Sequence, residues 1–282
     1  MPELPEVENV RQSLAVLVVG KTVAGVNCNW EKILIGGRDY FEQTLADRTV
    51  IGVDRRGKYL LLRFDQGVTM VSHLRMEGKY QLAPTADTAK PRFLHVWFDF
   101  TDGSQLRYLD MRKFGRMQLC QTGSETTAVP GLAKMGPEPV PADFTVADFY
   151  EKLQHRRLAI KSVILDQSVV AGVGNIYADE TLWRAKINPE QPACTLTRAE
   201  AARLHDQIIK VLAASIELGG TTVHTFVNAN GATGGFQDHL RVYGQQGTPC
   251  PVCGTTIVKI KVGQRGTHYC PHCQPLRKRV VK

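Results

Sequence analysis

Cys250-Pro251-Val252-Cys253, sixteen intervening residues and then Cys270-Pro271-His272-Cys273 form the stretch on which the reading of this chain turns. Two C-x-x-C knuckles joined by a loop of that length match the spacing of a four-cysteine zinc site, in which four thiolates complete a closed tetrahedron. Two disulfides would use the same cysteines. Three further cysteines, Cys28, Cys120 and Cys194, show no pairing pattern, and in a reducing compartment metal is favoured over disulfide. One structural zinc is therefore the expected cofactor, with Cys250, Cys253, Cys270 and Cys273 as ligands and His268 and His272 as neighbours able to substitute for one of them. Thr255 to Lys261 and Thr267 to Tyr269 read as the strands of a ribbon with Gly263-Gln264-Arg265-Gly266 at its tip, which holds Arg265 out on a rigid finger.

The charge distribution points to the same end of the chain. The 282 residues carry 35 Lys or Arg against 27 Asp or Glu, a formal charge of +8. Residues 240–282 hold eight of the bases and no acid, so the remaining 27 bases are balanced by 27 acids. A localised basic excess is the footprint of a polyanion-binding surface, most often for nucleic acid, although a solvated tail at Arg277, Lys278, Arg279 and Lys282 accounts for part of it. With 43% hydrophobic and 22% charged residues, the composition is that of a globular protein long enough for two domains with real cores. No apolar run reaches the eighteen or so residues of a membrane span. Glu3, Glu6 and Glu8 stand where a signal peptide would be basic and apolar, so a cytoplasmic location is expected.

At the other end, Leu4, Val7, Val10, Leu14 and Leu17 recur at helical spacing, Pro5 suits a first helical turn and Gly20 suits a left-handed cap. Removal of Met1 leaves Pro2 as a chain-terminal amine anchored by that helix, with the carboxylate of Glu3 beside it. A terminal amine with a pKa near ~8 is about one-tenth free base at pH 7, roughly two hundred times more than an exposed lysine. Such an amine attacks carbonyl-like carbons to form Schiff bases, and the secondary amine of proline gives a cationic iminium directly. The same residues also suit an ordinary helix start, with acids placed favourably against the helix dipole.

Between the two ends the chain changes period. Lys21 to Val26, Thr49 to Val53, Tyr59 to Phe64, Val68 to Val71, Phe93 to Phe98 and Leu106 to Leu109 read as short strands broken by Gly and Asp turns, in a first half that is mostly β with one helix across it. Arg55-Arg56-Gly57-Lys58-Tyr59 places cations at a strand-opening turn, suited to a phosphate or to an ordinary charged hairpin. His73-Leu74-Arg75-Met76-Glu77-Gly78 and Asp110-Met111-Arg112-Lys113-Phe114-Gly115 read as loops that set large apolar residues beside cations. That is the composition of a wedge entering a DNA stack, and also of a core plug.

Met135-Gly-Pro-Glu-Pro-Val-Pro141 disfavours helix and central strand alike and marks a domain boundary. Beyond it Thr145 caps a helix to about Gln154, and Ala159 to Asp166 reads as a second, with Arg156, Arg157 and Lys161 forming a basic face at their junction. Gln167 to Asp179 joins two helices through a glycine-rich turn, offering helix amides and Asn175 to an anion such as phosphate or simply allowing close helix packing. Thr197 and Glu200 form a capping box for a long helix ending at Gly219-Gly220. Thr221 to Gln237, glycine-rich, reads as a loop able to close over a ligand.

In their order, PELPEVE, RRGKYL, HLRMEGKY, DMRKFG, GVGNIYADE and the CPVCG to HYCPHC ribbon resemble the bacterial formamidopyrimidine-DNA glycosylase family along essentially the whole chain. The resemblance implies an α+β fold with an N-terminal β-sandwich and flanking helices, then a helix-two-turn-helix domain ending in a zinc finger. The expected boundaries are a catalytic domain over 1–134, a linker over 135–141, a helical DNA-binding domain over 142–235 and a zinc finger over 236–282. It further implies a monomer that binds double-stranded DNA containing an oxidised base. The reaction implied is excision of oxidised purines such as 8-oxoguanine and formamidopyrimidines, followed by β- and δ-elimination at the abasic sugar. Base flipping is required, because the sugar C1′ is inaccessible while the base is stacked.

Residue by residue, the resemblance makes Pro2 the nucleophile at C1′ and Glu3 the acid that helps open the sugar ring. Lys58 and Arg265 become proton donors in the elimination steps and, with Asn175, grip phosphates. Met76, Arg112 and Phe114 fill the gap left by the flipped nucleotide, and His73, His95, Arg157 and Lys161 are further DNA contacts. The loop near Thr221 to Gln237 covers the extruded base. The chain departs from the family where His-Asp-His is common and Phe93-Leu94-His95 stands instead, which puts the histidine contact in question. Leu4 argues against the related endonuclease VIII type, which prefers oxidised pyrimidines and typically has glycine there. A non-catalytic zinc-ribbon DNA-binding protein would explain the basic end but leaves Pro2 and Glu3 without a use.

Overall fold

The computed structural model describes residues 2–221 and 234–277, arranged in two compact units. Most of the expected loop from Thr221 to Gln237 therefore lies outside the described residues. The first unit comprises residues 2–134, joined by the described parts of 218–235. In chain order it contains α1 (Leu4–Val18), β1 (Val23–Cys28), β2 (Leu34–Ile35), α2 (Arg38–Leu45), β3 (Val50–Arg56), β4 (Tyr59–Phe64), β5 (Val68–His73), β6 (Lys79–Ala83), β7 (Leu94–Phe100), β8 (Gln105–Leu109), β9 (Arg116–Gln121), α3 (Glu125–Ala128) and α4 (Pro130–Ala133).

Two sheets form a sandwich in this unit, one in the order β1-β7-β8-β6 and the other β2-β9-β5-β4-β3. Leu60, Leu62 and Phe64 of β4 and Val96, Phe98 and Phe100 of β7 alternate along their strands and are buried in one apolar core. That period of two is what half-buried strands require, and each fully buried side chain of this size contributes about 1.5–3 kcal/mol. Helix α1 buries Leu4, Val7, Val10, Leu14 and Val18, a stripe at 3.6-residue period laid against β3. It stops where Gly20 takes φ +87° and donates to Val50 O at 2.8 Å, turning the chain into β1.

The expected strands are present, and one helix across the first half was too few. Helix α2 is short, and only Phe41 and Leu45 are buried in it, so eight residues carried too little periodicity to be read. Strand β6 falls within and beyond HLRMEGKY, and β9 begins directly after DMRKFG. Both are recruited by pairing, β6 with β8 and β9 with β5, which local sequence does not contain. His73 accordingly ends a strand and does not sit in a loop.

The second unit holds residues 135–217 and 236–277. It contains α5 (Val146–Gln154), α6 (Ile160–Ile164), α7 (Asn175–Ala185), α8 (Arg198–Glu217), β10 (Val258–Val262) and β11 (Arg265–Tyr269). Thr145 caps α5, accepting from Asp148 N at 3.2 Å. Thr197 and Glu200 close the expected capping box of α8, with Glu200 Oε2 accepting from Thr197 N at 2.8 Å. The proline-rich boundary is anchored to this unit: Gly136 N donates to Gln167 O at 2.7 Å and Ala171 N to Pro137 O at 2.9 Å. At the far end of α8, residues 218–221 group with the first unit, whereas the expected helical domain ran on to 235. Among the described residues no helix is long and apolar enough to cross a membrane.

Candidate active site and metal centre

In the first unit, α1 starts with Pro2 and Glu3 already buried, Glu3 being 3% exposed. Glu3 is the N-cap residue, and Glu3 and Glu6 make a capping box in which Glu6 Oε2 accepts from Glu3 N at 2.7 Å. The second oxygen of Glu6 accepts from Thr221 N at 2.8 Å, beside Gly220 at φ +81°, where a Cβ would press on the Glu6 side chain. The chain start is thus bound both to its own helix and to the residues after α8. Glu6 was not singled out from the sequence, although an acid three residues after Glu3 carried the capping-box signal.

Lys58 is 6% exposed and stands in the turn just before β4, after Gly57, which takes φ +54°. The turn is braced from α1. Arg55 donates to Glu8 Oε2 at 2.9 Å and to Gly57 O at 3.0 Å, and Arg11 donates to Glu8 Oε1 at 2.8 Å. Burial pushes the Glu8 carboxyl up, but the two guanidiniums outweigh it and hold the group below the ordinary range. His73, opposite Tyr59 on the neighbouring strand, has its pKa pushed down to about 3 by burial and by the charges of Arg75 and Lys58. Its neutral ring accepts from Arg75 N through Nδ1 at 2.9 Å.

The two wedge-like segments meet at Tyr108. Its hydroxyl lies against Gly78 and Gly115 so closely that a Cβ at either glycine would overlap it. Asp110 shapes the second segment: Oδ1 accepts from Arg112 N at 3.0 Å and Oδ2 from Gly115 N at 2.8 Å. Phe114 is 47% exposed and Met76 36% exposed, so neither is a core plug. The Arg112 guanidinium stacks 4.8 Å from the Phe114 ring centroid.

His95 is 7% exposed, and its Nε2 is engaged with Asp110 O at 2.9 Å, which ties it to the turn that carries Arg112. The preceding Phe93, where the family pattern differs, has φ +66°. Its carbonyl accepts from Asp110 N at 3.1 Å.

In the second unit, the four cysteine sulfurs all lie within 4.8 Å of one another. The distances Cys253–Cys270 and Cys253–Cys273 are 3.4 Å, and Cys250–Cys273 is 3.9 Å. A tetrahedral ion with Zn–S bonds of about 2.3 Å sets sulfurs ~3.8 Å apart, so the set fits one structural zinc. His268 is not a ligand. Its backbone N and Nδ1 both face Asp179 Oδ2, at 2.8 and 3.2 Å.

Asp179 is the centre of this half, and Lys161 requires a correction. Both side chains are fully buried, and Lys161 Nζ lies 2.6 Å from Asp179 Oδ1. The same ammonium donates to Gly266 O at 2.9 Å and Thr267 Oγ1 at 2.8 Å. A buried ammonium so enclosed cannot meet a phosphate; instead it clamps the strand that carries Arg265. Asn175, first residue of α7, donates to Gly266 O at 3.0 Å, which places it beside the same strand. Arg265 itself is exposed, and so is Arg157. Glu180 Oε1 accepts from the backbone N of Arg241, Val242 and Tyr243 at 2.9, 2.9 and 3.0 Å, tying the approach to the ribbon onto α7. Asp179 and Glu180 went unread because adjacent acids on a helix look like a solvated face until the ribbon folds over them.

A β-sandwich unit that buries its own chain start, with a second helical unit carrying a four-cysteine ribbon, defines a class of two-unit zinc-finger proteins. Residues 1–117 match the formamidopyrimidine-DNA glycosylase N-terminal domain, 135–227 the H2TH domain of the same proteins, and 247–276 the zinc finger found in FPG and IleRS. The formamidopyrimidine-DNA glycosylase of Latilactobacillus sakei is 57% identical over 274 residues, spanning 97% of this chain and 98% of that one. Lactococcus lactis Fpg in complex with DNA containing an abasic site superposes with a TM-score of 0.91 at 42% identity, covering 97% of this chain and 99% of that one. A glycine-to-proline variant of the same enzyme bound to Fapy-dG-containing DNA gives 0.92 at 42% identity, covering 97% and 100%. The chain belongs to the formamidopyrimidine-DNA glycosylase family.

Proposed function

We propose that this chain is a bifunctional DNA glycosylase and abasic-site lyase that removes oxidised purines, 8-oxoguanine and formamidopyrimidines, from duplex DNA. The observation that carries the reading is the buried, doubly tethered chain start, with Glu6 binding Glu3 N on one side and Thr221 N on the other. Chain termini ordinarily fray, and a terminus held this firmly is suited to delivering an amine to one atom. The Lactococcus lactis complexes with abasic-site and Fapy-dG DNA support the same substrates here.

With Met1 removed, the Pro2 nitrogen attacks C1′ of the extruded nucleotide. The glycosidic bond breaks and the base leaves with its electron pair and a proton, while Glu3 protonates the ring oxygen as the sugar opens to an iminium. Loss of a C2′ proton then expels the 3′ phosphate, and a second elimination expels the 5′ phosphate. Lys58 and Arg265 supply protons in these steps. Arg112, Phe114 and Met76 occupy the vacated stack. Arg265, Arg157 and Asn175 meet phosphates; the Asn175 side-chain amide gives one N–H to Gly266 O and has a second to offer. His73, neutral and half-buried, contacts DNA as a hydrogen-bonding group and not as a cation. The enzyme acts as a monomer where the chromosome lies, in the cytoplasm.

The test compares the processed protein with one carrying a retained N-terminal extension, on duplexes holding one 8-oxoguanine, one formamidopyrimidine or one oxidised pyrimidine. The processed protein should cut the purine lesions fastest and be trapped on DNA by borohydride, and the extended protein should do neither. Full cleavage and trapping by the extended protein would remove Pro2 from the mechanism. Faster cutting of the pyrimidine lesion would overturn the substrate assignment.

A further inference from the structure

Three exposed cations of the first unit face aromatic rings instead of carboxylates. Lys32 and Lys113 share the half-buried indole of Trp30, with their Nζ atoms 5.5 and 4.2 Å from its centroid. The Arg92 guanidinium lies 4.6 Å from the ring centroid of Phe93. Backbone hydrogen bonds draw the three segments together. Asn29 N, next to Trp30, donates to His95 O at 2.8 Å, and Asp110 N, at the head of the turn that carries Lys113, donates to Phe93 O at 3.1 Å. All three cations therefore border the turn of Arg112 and Phe114. The acids nearby are already engaged. Asp110 accepts from the backbone of Arg112 and Gly115, and Glu31 Oε1 accepts from Arg38 N at 2.9 Å at the start of α2. Among the described residues Lys32, Arg92 and Lys113 form no ion pair.

We propose that Lys32 and Lys113 on Trp30, with Arg92 on Phe93, form a phosphate-binding rim that grips the DNA backbone beside the wedge. The proposal rests on the duplex-DNA reading above and extends it to a surface outside the wedge side chains. A cation over a ring is held in place yet keeps its charge and its N–H donors, whereas a carboxylate partner would neutralise it. Two ammoniums on one indole also repel each other, and a phosphate beside them relieves that repulsion. Arg112 and Phe114 enter the stack, so cations bordering their turn stand level with the phosphates that flank the opened step. Such contacts fix register and orientation without reading sequence, which suits an enzyme that must traverse undamaged duplex to reach a lesion.

Lys32→Met, Arg92→Met and Lys113→Met remove each charge and keep an apolar stem. On undamaged duplex each should lower the slope of log affinity against log salt by about one, while Lys32→Arg and Lys113→Arg should leave it as it was. An unchanged slope in the three methionine variants overturns the proposal. An equal fall in the arginine variants also overturns it, because the effect would then come from packing on Trp30 and not from charge. The unaltered full-length protein gives a test that needs no variant. Acetylation of Lys32 and Lys113 by acetic anhydride, read by mass spectrometry, should slow when undamaged duplex is bound, and equal rates with and without bound duplex overturn the rim. Failure of the unaltered protein to bind duplex at all would reject the DNA reading together with the rim, whereas tight binding with unchanged slopes rejects the rim alone.

Discussion

Truncating Phe114 to alanine separates a wedge from a structural side chain. Phe114 is 47% exposed, so about half of the ~1.5–3 kcal/mol for burying a phenyl ring is at stake. The Arg112 guanidinium over its ring adds about 0.5–1 kcal/mol at an exposed position. Phe114→Ala should therefore cost about 1–2 kcal/mol, against the ~3–5 kcal/mol of a fully buried phenylalanine. For a protein of this size that is a fall in Tm of a few degrees. Catalysis should suffer more selectively. Extruding a paired base costs a few kcal/mol, and a wedge that supplies about 2 kcal/mol of it accounts for a roughly thirtyfold slower step. Single-turnover excision of 8-oxoguanine paired with cytosine should slow by about that factor. Cleavage at a preformed abasic site, where no base is left to extrude, should change far less. Equal loss of both activities together with a large fall in Tm would refute the wedge assignment.

Arg265→Ala should lower the slope of log affinity against log salt by about one, as expected for one lost phosphate contact. Lys161→Met, which leaves Asp179 buried without its cation, should destabilise the protein by about 3–5 kcal/mol and weaken DNA binding by misplacing Arg265. Adding Arg265→Ala to Lys161→Met should then cost less than it does alone, and full additivity would reject the clamp. His73 supplies a pH signature. Its folded pKa lies near 3, below the ordinary imidazole value, so unfolding takes up a proton across that interval. Stability is complete above about pH 6.5 and falls by up to about 1.4 kcal/mol per pH unit below it. His73→Asn should flatten the acid limb of the curve of Tm against pH, and an unchanged limb would place the titrating group elsewhere.

Much of this site was legible because its signals are local. A knuckle of two cysteines, a capping box, a proline in a first helical turn and an alternating strand each depend on residues a few positions apart, and the same short-range sterics and hydrogen bonds operate in any fold. The order of those signals carried the resemblance that implied the sandwich, and their spacing set out the ribbon, the start of α1 and the four cysteines. What the sequence could not resolve was the use of buried charge. Lys161 read as a surface cation for DNA because nothing local distinguishes an exposed ammonium from one enclosed by residues a hundred positions away. Lys161 is enclosed by Gly266 and Thr267. Glu6, Asp179 and Glu180 passed as ordinary helical acids, since their partners at Thr221, His268 and residues 241–243 are reached only after the chain has folded back. A carboxylate or ammonium taken out of water must find its partner within hydrogen-bond reach, and which partner lies there is decided by tertiary packing alone.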